Sequence, residues 1–194
     1  MSTIRLANIN DAPRLLEIYT HYVVHTAYTF DLVTPTLEEF EEKLAIIFAK
    51  HCCFVAELDG RIMGYAYAAD HRAKKAYQWT TESTVYVDQL ARHKGVGSAL
   101  YRVLLYTLEL QGFRKVLAGI TLPNKASEQF HVAMGFSPFA KYELVGFKHN
   151  EWHDTIWYDK YLGERYAEPA ELKTVQEVIQ HPDWELYINN LVDN

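Results

Sequence analysis

Apolar and polar positions along the chain change rhythm repeatedly, and the changes lay out an α/β order. Residues 3–6, Thr3-Ile4-Arg5-Leu6, alternate as a strand does, and Asn8 to Asp11 offer cap residues for a helix running through residues 19–25. Thr36-Leu37-Glu38-Glu39 fits a capping box and opens a second helix through Ile47. Residues 52–58 and 61–69 read as strands around Asp59-Gly60, the strongest short hairpin signal in the chain. Residues 81–87 are rich in β-branched side chains and read as another strand.

The clearest helix follows. Val96, Ala99, Leu100, Val103, Leu104, Thr107 and Leu108 recur at helical spacing as one broad stripe, and Gly112 sits where a helix stop belongs. Residues 115–121 read as a buried strand. Asn124 caps a short helix that Gly135 ends, and residues 139–147 and 155–161 complete the strands. The expected fold is therefore α/β around one mixed sheet, with a parallel crossover from Val85 to Ala118. From Gly163 the composition turns polar, with Leu172, Val175, Val178 and Ile179 at helical spacing before a segment from Trp184 to Leu191. The layout divides into a main domain over residues 1–162 and a helical extension over 163–194, one appended helix that covers the domain or a second subunit.

Composition narrows the classes. An apolar fraction of 49% and a charged fraction of 23% exclude a disordered or low-complexity chain. A net charge of -6 disfavours generic binding to phosphate backbones and anionic membranes while leaving room for a local basic patch, so neither nucleic acid nor membrane is an expected partner. Cys52 and Cys53 are adjacent and in a strand point to opposite sides, which places them poorly to bridge each other and leaves a reducing cytoplasm as the expected compartment. They also lack the two-residue gap of a redox or zinc pair. The start, MSTIRLANIN, carries no apolar signal core. His149-Asn150-Glu151-Trp152-His153 lacks the Glu directly after the first His that a zincin needs, so no metal is expected.

The chemistry concentrates where a strand, a basic turn and a long helix follow one another: Val85-Tyr86-Val87, then Arg92-His93-Lys94-Gly95-Val96-Gly97-Ser98. A helix N-terminus leaves amides without partners and carries about half a positive charge, which suits a phosphate. Gly95 and Gly97 remove side chains that would hold an anion off the backbone, while Arg92 and Lys94 add charge. Two nucleotide motifs fail here. Position 100 is Leu, not the third Gly of a dinucleotide fingerprint, and Gly97-Ser98-Ala99 does not close a Walker loop.

Arg-x-x-Gly-x-Gly after a Val-Tyr-Val strand resembles the acyl-CoA motif of the GNAT superfamily of N-acetyltransferases. Three segments are similar more narrowly to its phosphinothricin (glufosinate) N-acetyltransferase subfamily: residues 76–87, AYQWTTESTVYV; Leu122-Pro123-Asn124; and residues 146–154, GFKHNEWHD. The resemblance implies a mixed, mostly antiparallel sheet of about seven strands with flanking helices, acetyl-CoA as co-substrate, a small amine as acceptor and a homodimer. It assigns the coenzyme to Val85, Tyr86, Val87, Arg92, His93, Lys94, Gly95, Val96, Gly97, Ser98, Asn124 and Ser127.

Catalysis falls by the same resemblance to Glu82 as general base, with His131 as a second candidate that protonates the departing thiolate, contacts CoA or simply packs. A base matters because a Lys-like ammonium with pKa about 10.4 leaves about one molecule in a thousand as free amine near pH 7.4, a handicap of roughly 4 kcal/mol. Phe30, Arg72, Lys74 and Tyr77 are implied to hold an anionic amino-acid-like acceptor. Here the basic pair runs Arg then Lys, inverting the subfamily order, and His71 stands where those enzymes carry Trp. Attack in a ternary complex is expected, because no Cys, Ser or Lys is set up to take the acyl group. A polyamine, aminoglycoside or protein N-terminus as acceptor would want acidic groups where this chain has Arg72 and Lys74. A non-catalytic acyl-CoA-binding module stays open as the non-enzyme reading.

Overall fold

Seven strands form one open sheet in the order β1-β2-β3-β4-β5-β7-β6 in the computed structural model, which describes residues 2–164 and 168–192. β1 (Ser2–Leu6), β2 (Cys53–Leu58), β3 (Arg61–Asp70) and β4 (Thr80–Val87) are antiparallel neighbours. β5 (Lys115–Thr121) lies parallel to β4, and β7 (Glu151–Tyr161) and β6 (Ser137–Lys148) close the far edge antiparallel. This is the mixed, mostly antiparallel sheet of seven strands that the family resemblance implied.

Local chemistry explains the elements. α1 (Ala12–His25) starts with proline in its first turn, and α2 (Leu37–Lys50) opens on the capping box, with the Thr36 hydroxyl accepting from the Glu39 amide. α3 (Val96–Gln111) ends at Gly112, whose φ of 97° is one that a side chain would strain. α4 (Lys125–Ala133) is capped by Asn124. In the β2–β3 hairpin Asp59 and Gly60 both take positive φ, 51° and 76°, as a two-residue turn with right-handed strands demands.

Two cores sit on opposite faces of the sheet. α1 and α2 bury Leu15, Ile18, Phe40 and Leu44 against Cys53, Val55 and Tyr65, while α3 buries Leu100, Val103, Leu104 and Leu108 against Cys52, Phe54 and Ala66. Each such side chain contributes about 1.5–3 kcal/mol on leaving water. The adjacent cysteines thus serve different cores, and both are free thiols. Gly64 lets α3 come close: a Cβ there would stand 2.9 Å from the Tyr86 carbonyl oxygen and 3.1 Å from Val96.

One feature of the sheet makes the site. β4 and β5 pair only over Thr80↔Lys115, Thr81↔Val116 and Glu82↔Leu117, yet β4 runs on to Val87 and β5 to Thr121. The strands part, and a gap opens between them.

Three expectations need correction. The β6 and β7 strands are longer than residues 139–147 and 155–161, because a turn of just His149 and Asn150, with φ of 52° and 61°, joins them. His153 therefore lies within β7 and not in the turn, with its Nε2 bonded to the Lys148 carbonyl at 3.0 Å. Among its described residues the extension holds two helices, not one: α5 (Val175–Ile179), behind a Thr174–Glu177 capping box, and α6 (Pro182–Val192), which proline opens. Leu172 precedes both. α6 packs on the α3 face, where Trp184 stacks on Phe54 at 6.2 Å and donates to the Thr107 hydroxyl at 2.8 Å.

Candidate active site

A groove of about 540 Å³ runs through the gap between β4 and β5 and up to the first turn of α3. Ser83 to Val87 form one wall, Ala118 to Thr121 the other, and Asn124, Ser127 and Phe130 of the α4 segment close the side. Arg92, His93, Gly95, Val96, Gly97 and Ser98 line its basic end; Lys94 is exposed nearby and does not line it.

The α3 N-terminus is built for an anion. Gly95 is the N-cap in a left-handed conformation, φ 78°, with no side-chain cap, and the first intrahelical bond runs from Ala99 N–H to Gly95 O at 2.9 Å. The amides of Val96, Gly97 and Ser98 precede that bond and have no helical acceptor. A Cβ on Gly97 would reach within 3.4 Å of Val87 and 3.8 Å of Phe130, so its absence keeps the groove floor open.

β4 presents its backbone to the gap at alternate residues. The Asp88 amide bonds to Met63 on β3, whereas the Trp79 carbonyl faces β5 and accepts from the Arg114 amide. By this alternation Val85 and Val87 turn their peptide groups toward the gap. Those of Val87 are already engaged: the Tyr22 hydroxyl donates to its carbonyl at 2.7 Å and accepts from its amide at 3.2 Å. Tyr22 and Tyr28, which no motif marked, line the groove from the α1 side.

His131 also lines the groove but is 5% exposed, with both ring nitrogens engaged. Nδ1 lies 2.8 Å from the Ser127 carbonyl oxygen, so it carries the proton, and Nε2 accepts from the Tyr101 hydroxyl at 3.0 Å. The Ser83 hydroxyl completes the chain at 2.6 Å from the Tyr101 oxygen. Burial pushes the His131 imidazole below its ordinary pKa, against the upward pull of the Ser127 bond.

Glu82 follows the buried Thr81 and precedes the buried Ser83, so its side chain emerges on the opposite face, toward α1 and α2. Its carboxylate bonds to His71 Nδ1 at 2.8 Å. The Arg72 guanidinium lies over the Tyr77 ring at 5.9 Å, and Tyr77 stands edge-on to His71 at 5.8 Å. The structure thus brings Glu82, Arg72 and Tyr77 into one cluster and adds His71, which the sequence marked only as a departure from the subfamily. Lys74 is exposed at the start of the turn that carries Tyr77. Phe30 packs elsewhere, its ring 2.2 Å from where a Gly146 Cβ would stand and 6.4 Å from the His153 ring. None of Glu82, Phe30, Arg72, Lys74 and Tyr77 lines the groove itself.

Residues 4–157 match the model of the acetyltransferase (GNAT) domain. The chain belongs to the GNAT family. This GNAT acetyltransferase is 35% identical over 175 residues to a phosphinothricin N-acetyltransferase of Streptomyces viridochromogenes, covering 90% of this chain and 95% of that protein. It is 32% identical over 172 residues to an L-methionine sulfoximine/L-methionine sulfone acetyltransferase of Salmonella typhimurium, covering 87% and 99%. A crystal structure of a GNAT superfamily phosphinothricin acetyltransferase from Sinorhizobium meliloti in complex with AcCoA superposes with a TM-score of 0.85 at 32% identity, over 88% of this chain and 94% of that one.

The protein is accordingly an acetyl-CoA-dependent N-acetyltransferase of the phosphinothricin and methionine sulfoximine acetyltransferase type. Its residues fit the coenzyme: amides without helical partners, an open glycine floor and the basic Arg92 lie at one end of the groove. Among the described residues no group of three or more His, Cys, Asp or Glu is arranged to hold a metal ion, and no helix is long and apolar enough to cross a membrane.

Proposed function

We propose that this acetyltransferase moves the acetyl group to the amino group of a small, anionic, amino-acid-like acceptor of the phosphinothricin or methionine sulfoximine type. One observation carries the reading: beside the groove wall at Gly119, on the face of β4 toward α1 and α2, a carboxylate, a guanidinium and aromatic rings meet. Arg72 and Lys74 suit the acceptor's anionic group, and Tyr77 its body. The curated relatives that act on such compounds support it.

Acetyl-CoA supplies an activated thioester. The Arg92–Ser98 turn holds the diphosphate on the α3 amides with Arg92, His93 and Lys94 around it, and Asn124 and Ser127 border the pantetheine arm. The Val85 amide is the donor for the carbonyl oxygen, a group fixed in place before charge develops on that oxygen. Tyr22 keeps the Val87 peptide occupied, so Val85 is the open rung of β4. Glu82 supplies the negative charge of the basic centre that frees the acceptor's nitrogen, and the amine attacks directly. His131 serves packing: with both nitrogens bonded it has no proton free for the thiolate, and its network ties α4 to α3 and β4.

A second copy of the chain is the proposed partner. β6 is a long edge strand, and Phe139, Leu144, Val145 and Phe147 on it, with Trp152 on β7, are half or more exposed. Such an edge invites pairing. We place residues 1–162 as the catalytic domain and the 163–194 extension as a cover for α3, in a cytoplasmic enzyme.

The test is acetyl-CoA consumption against phosphinothricin, methionine sulfoximine, other amino-acid analogues, a polyamine, an aminoglycoside and a peptide. Turnover confined to the anionic amino-acid analogues is expected. Preference for the polyamine, aminoglycoside or peptide overturns the acceptor class, and coenzyme binding without turnover on any amine overturns the catalytic role. Glu82→Gln is expected to lower kcat/KM at neutral pH by on the order of 100-fold while sparing coenzyme affinity.

A further inference from the structure

The carboxylate of Glu82 is not alone on its face of the sheet. The β3–β4 register sets Ala69 opposite Glu82 and Asp70 opposite Thr81, so His71, the next residue, turns its ring back over β4. Its Nδ1 lies 2.8 Å from Glu82 Oε1. An ionised carboxylate only accepts, so Nδ1 carries the hydrogen of the neutral ring and Nε2 keeps the lone pair. Arg72 Nε, a donor only, stands 3.4 Å from that Nε2, which agrees with the assignment and is too long to satisfy the lone pair well.

The ring is fixed on its other sides. Tyr77 meets it edge-on at 5.8 Å and Trp157 of β7 at 6.4 Å. Trp157 in turn lies on Gly119, where a Cβ would stand 3.3 Å from the indole, and Gly119 lines the coenzyme groove. One indole therefore separates His71 from the groove wall. The His71 side chain is 18% exposed, enough for a small molecule to reach it. The titratable and charged groups that face it are Glu82 from β4, Arg72 from its own loop and Tyr77 from the 75–77 turn; Trp157 from β7 is uncharged.

We infer that His71 Nε2 is the atom that takes the proton from the acceptor's ammonium, and that Glu82 acts by holding that imidazole. The inference rests on the acetyl-transfer reading above and assigns the proton within it. A base oriented by a third group is the arrangement that activates nucleophiles on unrelated folds. A neutral imidazole is a stronger base than a carboxylate, so the transfer from an ammonium is less uphill. Arg72 brings the acceptor to the right atom. In an α-amino acid the carboxylate and the ammonium share one carbon, so a carboxylate paired with Arg72 sets its ammonium beside Nε2. That same carboxylate cancels the guanidinium charge, which opposes an imidazolium.

The step balances. The ammonium gives one proton to Nε2 and keeps the N–H electron pair as the attacking lone pair; the imidazolium formed is offset by Glu82. Attack makes the C–N bond, and collapse breaks the C–S bond with its electrons on sulfur. The second nitrogen proton passes to that sulfur, and the imidazolium later returns its proton to water.

The experiment is kcat/KM for the acceptor against pH in the full-length native enzyme, His71→Gln, His71→Ala, Glu82→Gln and the double variant, with coenzyme affinity by calorimetry as the check on folding. Native kcat/KM is expected to fall on the acid side, where the base is protonated. His71→Gln is expected to lose on the order of 100-fold at neutral pH, to keep its coenzyme affinity, and to regain about tenfold per pH unit as free amine accumulates. Added imidazole is expected to restore part of the activity of His71→Ala, and the double variant to be no worse than the poorer single one, as for residues that act as a unit. A His71→Gln enzyme with near-native kcat/KM beside a crippled Glu82→Gln overturns the inference and leaves Glu82 as the sole base. Near-native activity in both overturns the base assignment of the acetyl-transfer reading as well. Should the His71 variants fail to bind coenzyme, nitrogen NMR of the native protein decides: hydrogen on His71 Nδ1 is expected, and hydrogen on Nε2 overturns the inference.

Discussion

Removing one oxygen atom from the centre of the α3 core tests whether His131 is a packing group. Tyr101→Phe leaves the ring, which is fully buried, and deletes the hydroxyl that links Ser83 at 2.6 Å to His131 Nε2 at 3.0 Å. Ser83 keeps an alternative acceptor in the Leu117 carbonyl at 3.3 Å, so its loss is small. His131 Nε2 has no such substitute and becomes a buried acceptor without a donor. Stranding such an atom costs about 1–3 kcal/mol, so a loss of about 2 kcal/mol is expected. For a chain of this size that lowers Tm by about 4–8 °C. Urea unfolding should show a lower midpoint at unchanged slope. Because Tyr101 does not line the groove, kcat well below Tm should stay within about twofold of native, less than one pK unit of transition-state effect. An unfolding midpoint equal to that of the native protein would refute the network, and a collapse of kcat without loss of stability would return His131 to the chemistry.

Gly97→Ala places a methyl between Val87 and Phe130, where the contacts of 3.4 and 3.8 Å are ordinary, so the helix is expected to gain stability while acetyl-CoA affinity falls. Calorimetry should read a loss of about tenfold, or about 1.4 kcal/mol. Asp11 works in the opposite pH direction from a cation: burial acts to raise its pKa, but the bonds from Arg5 and the Asn8 amide outweigh it and hold the carboxyl below the usual range. Its contribution is present above about pH 4, the unfolded value, and is lost as pH falls through the lower folded value. Asp11→Asn is thus expected to cost about 2 kcal/mol at pH 7 and to flatten the acid limb of a stability profile measured by thermal melts. Trp184→Ala removes the stack on Phe54 and the bond to Thr107, and about 3 kcal/mol should be lost in urea unfolding if α6 is part of the α3 core.

What the sequence made legible follows the strength of local signals. The Asp59-Gly60 turn, the Thr36 capping box and the α3 stripe each carry their cause within a few residues, and the structure has all three. The β6–β7 turn was hidden because His149 and Asn150 take positive φ without glycine, and because Glu151-Trp152-His153-Asp154 lacks a β-branched run. The extension divided where Pro182 restarts a helix behind the Thr174 capping box, a signal present in the chain but overridden by the apolar spacing read across it. The α3 turn was marked as a candidate anion site by its glycines together with Arg92, Lys94 and the helix start behind the Val85–Val87 strand, and the structure sets that turn at one end of the groove. By contrast, His71 meets Glu82 only through the β3–β4 register, and Tyr22 reaches Val87 across 65 positions. Such pairings are tertiary, and no spacing announces them.

Where the coenzyme's diphosphate rests decides whether the Arg92–Ser98 turn is the anion site. A crystal structure of the enzyme with acetyl-CoA, or with CoA, measures this directly. The diphosphate oxygens are expected within hydrogen-bond distance of the Gly97 and Ser98 amides, with the thioester carbonyl oxygen on the Val85 amide. A diphosphate bound away from the Arg92–Ser98 turn, or a thioester directed to the face of β4 remote from Glu82, would contradict it.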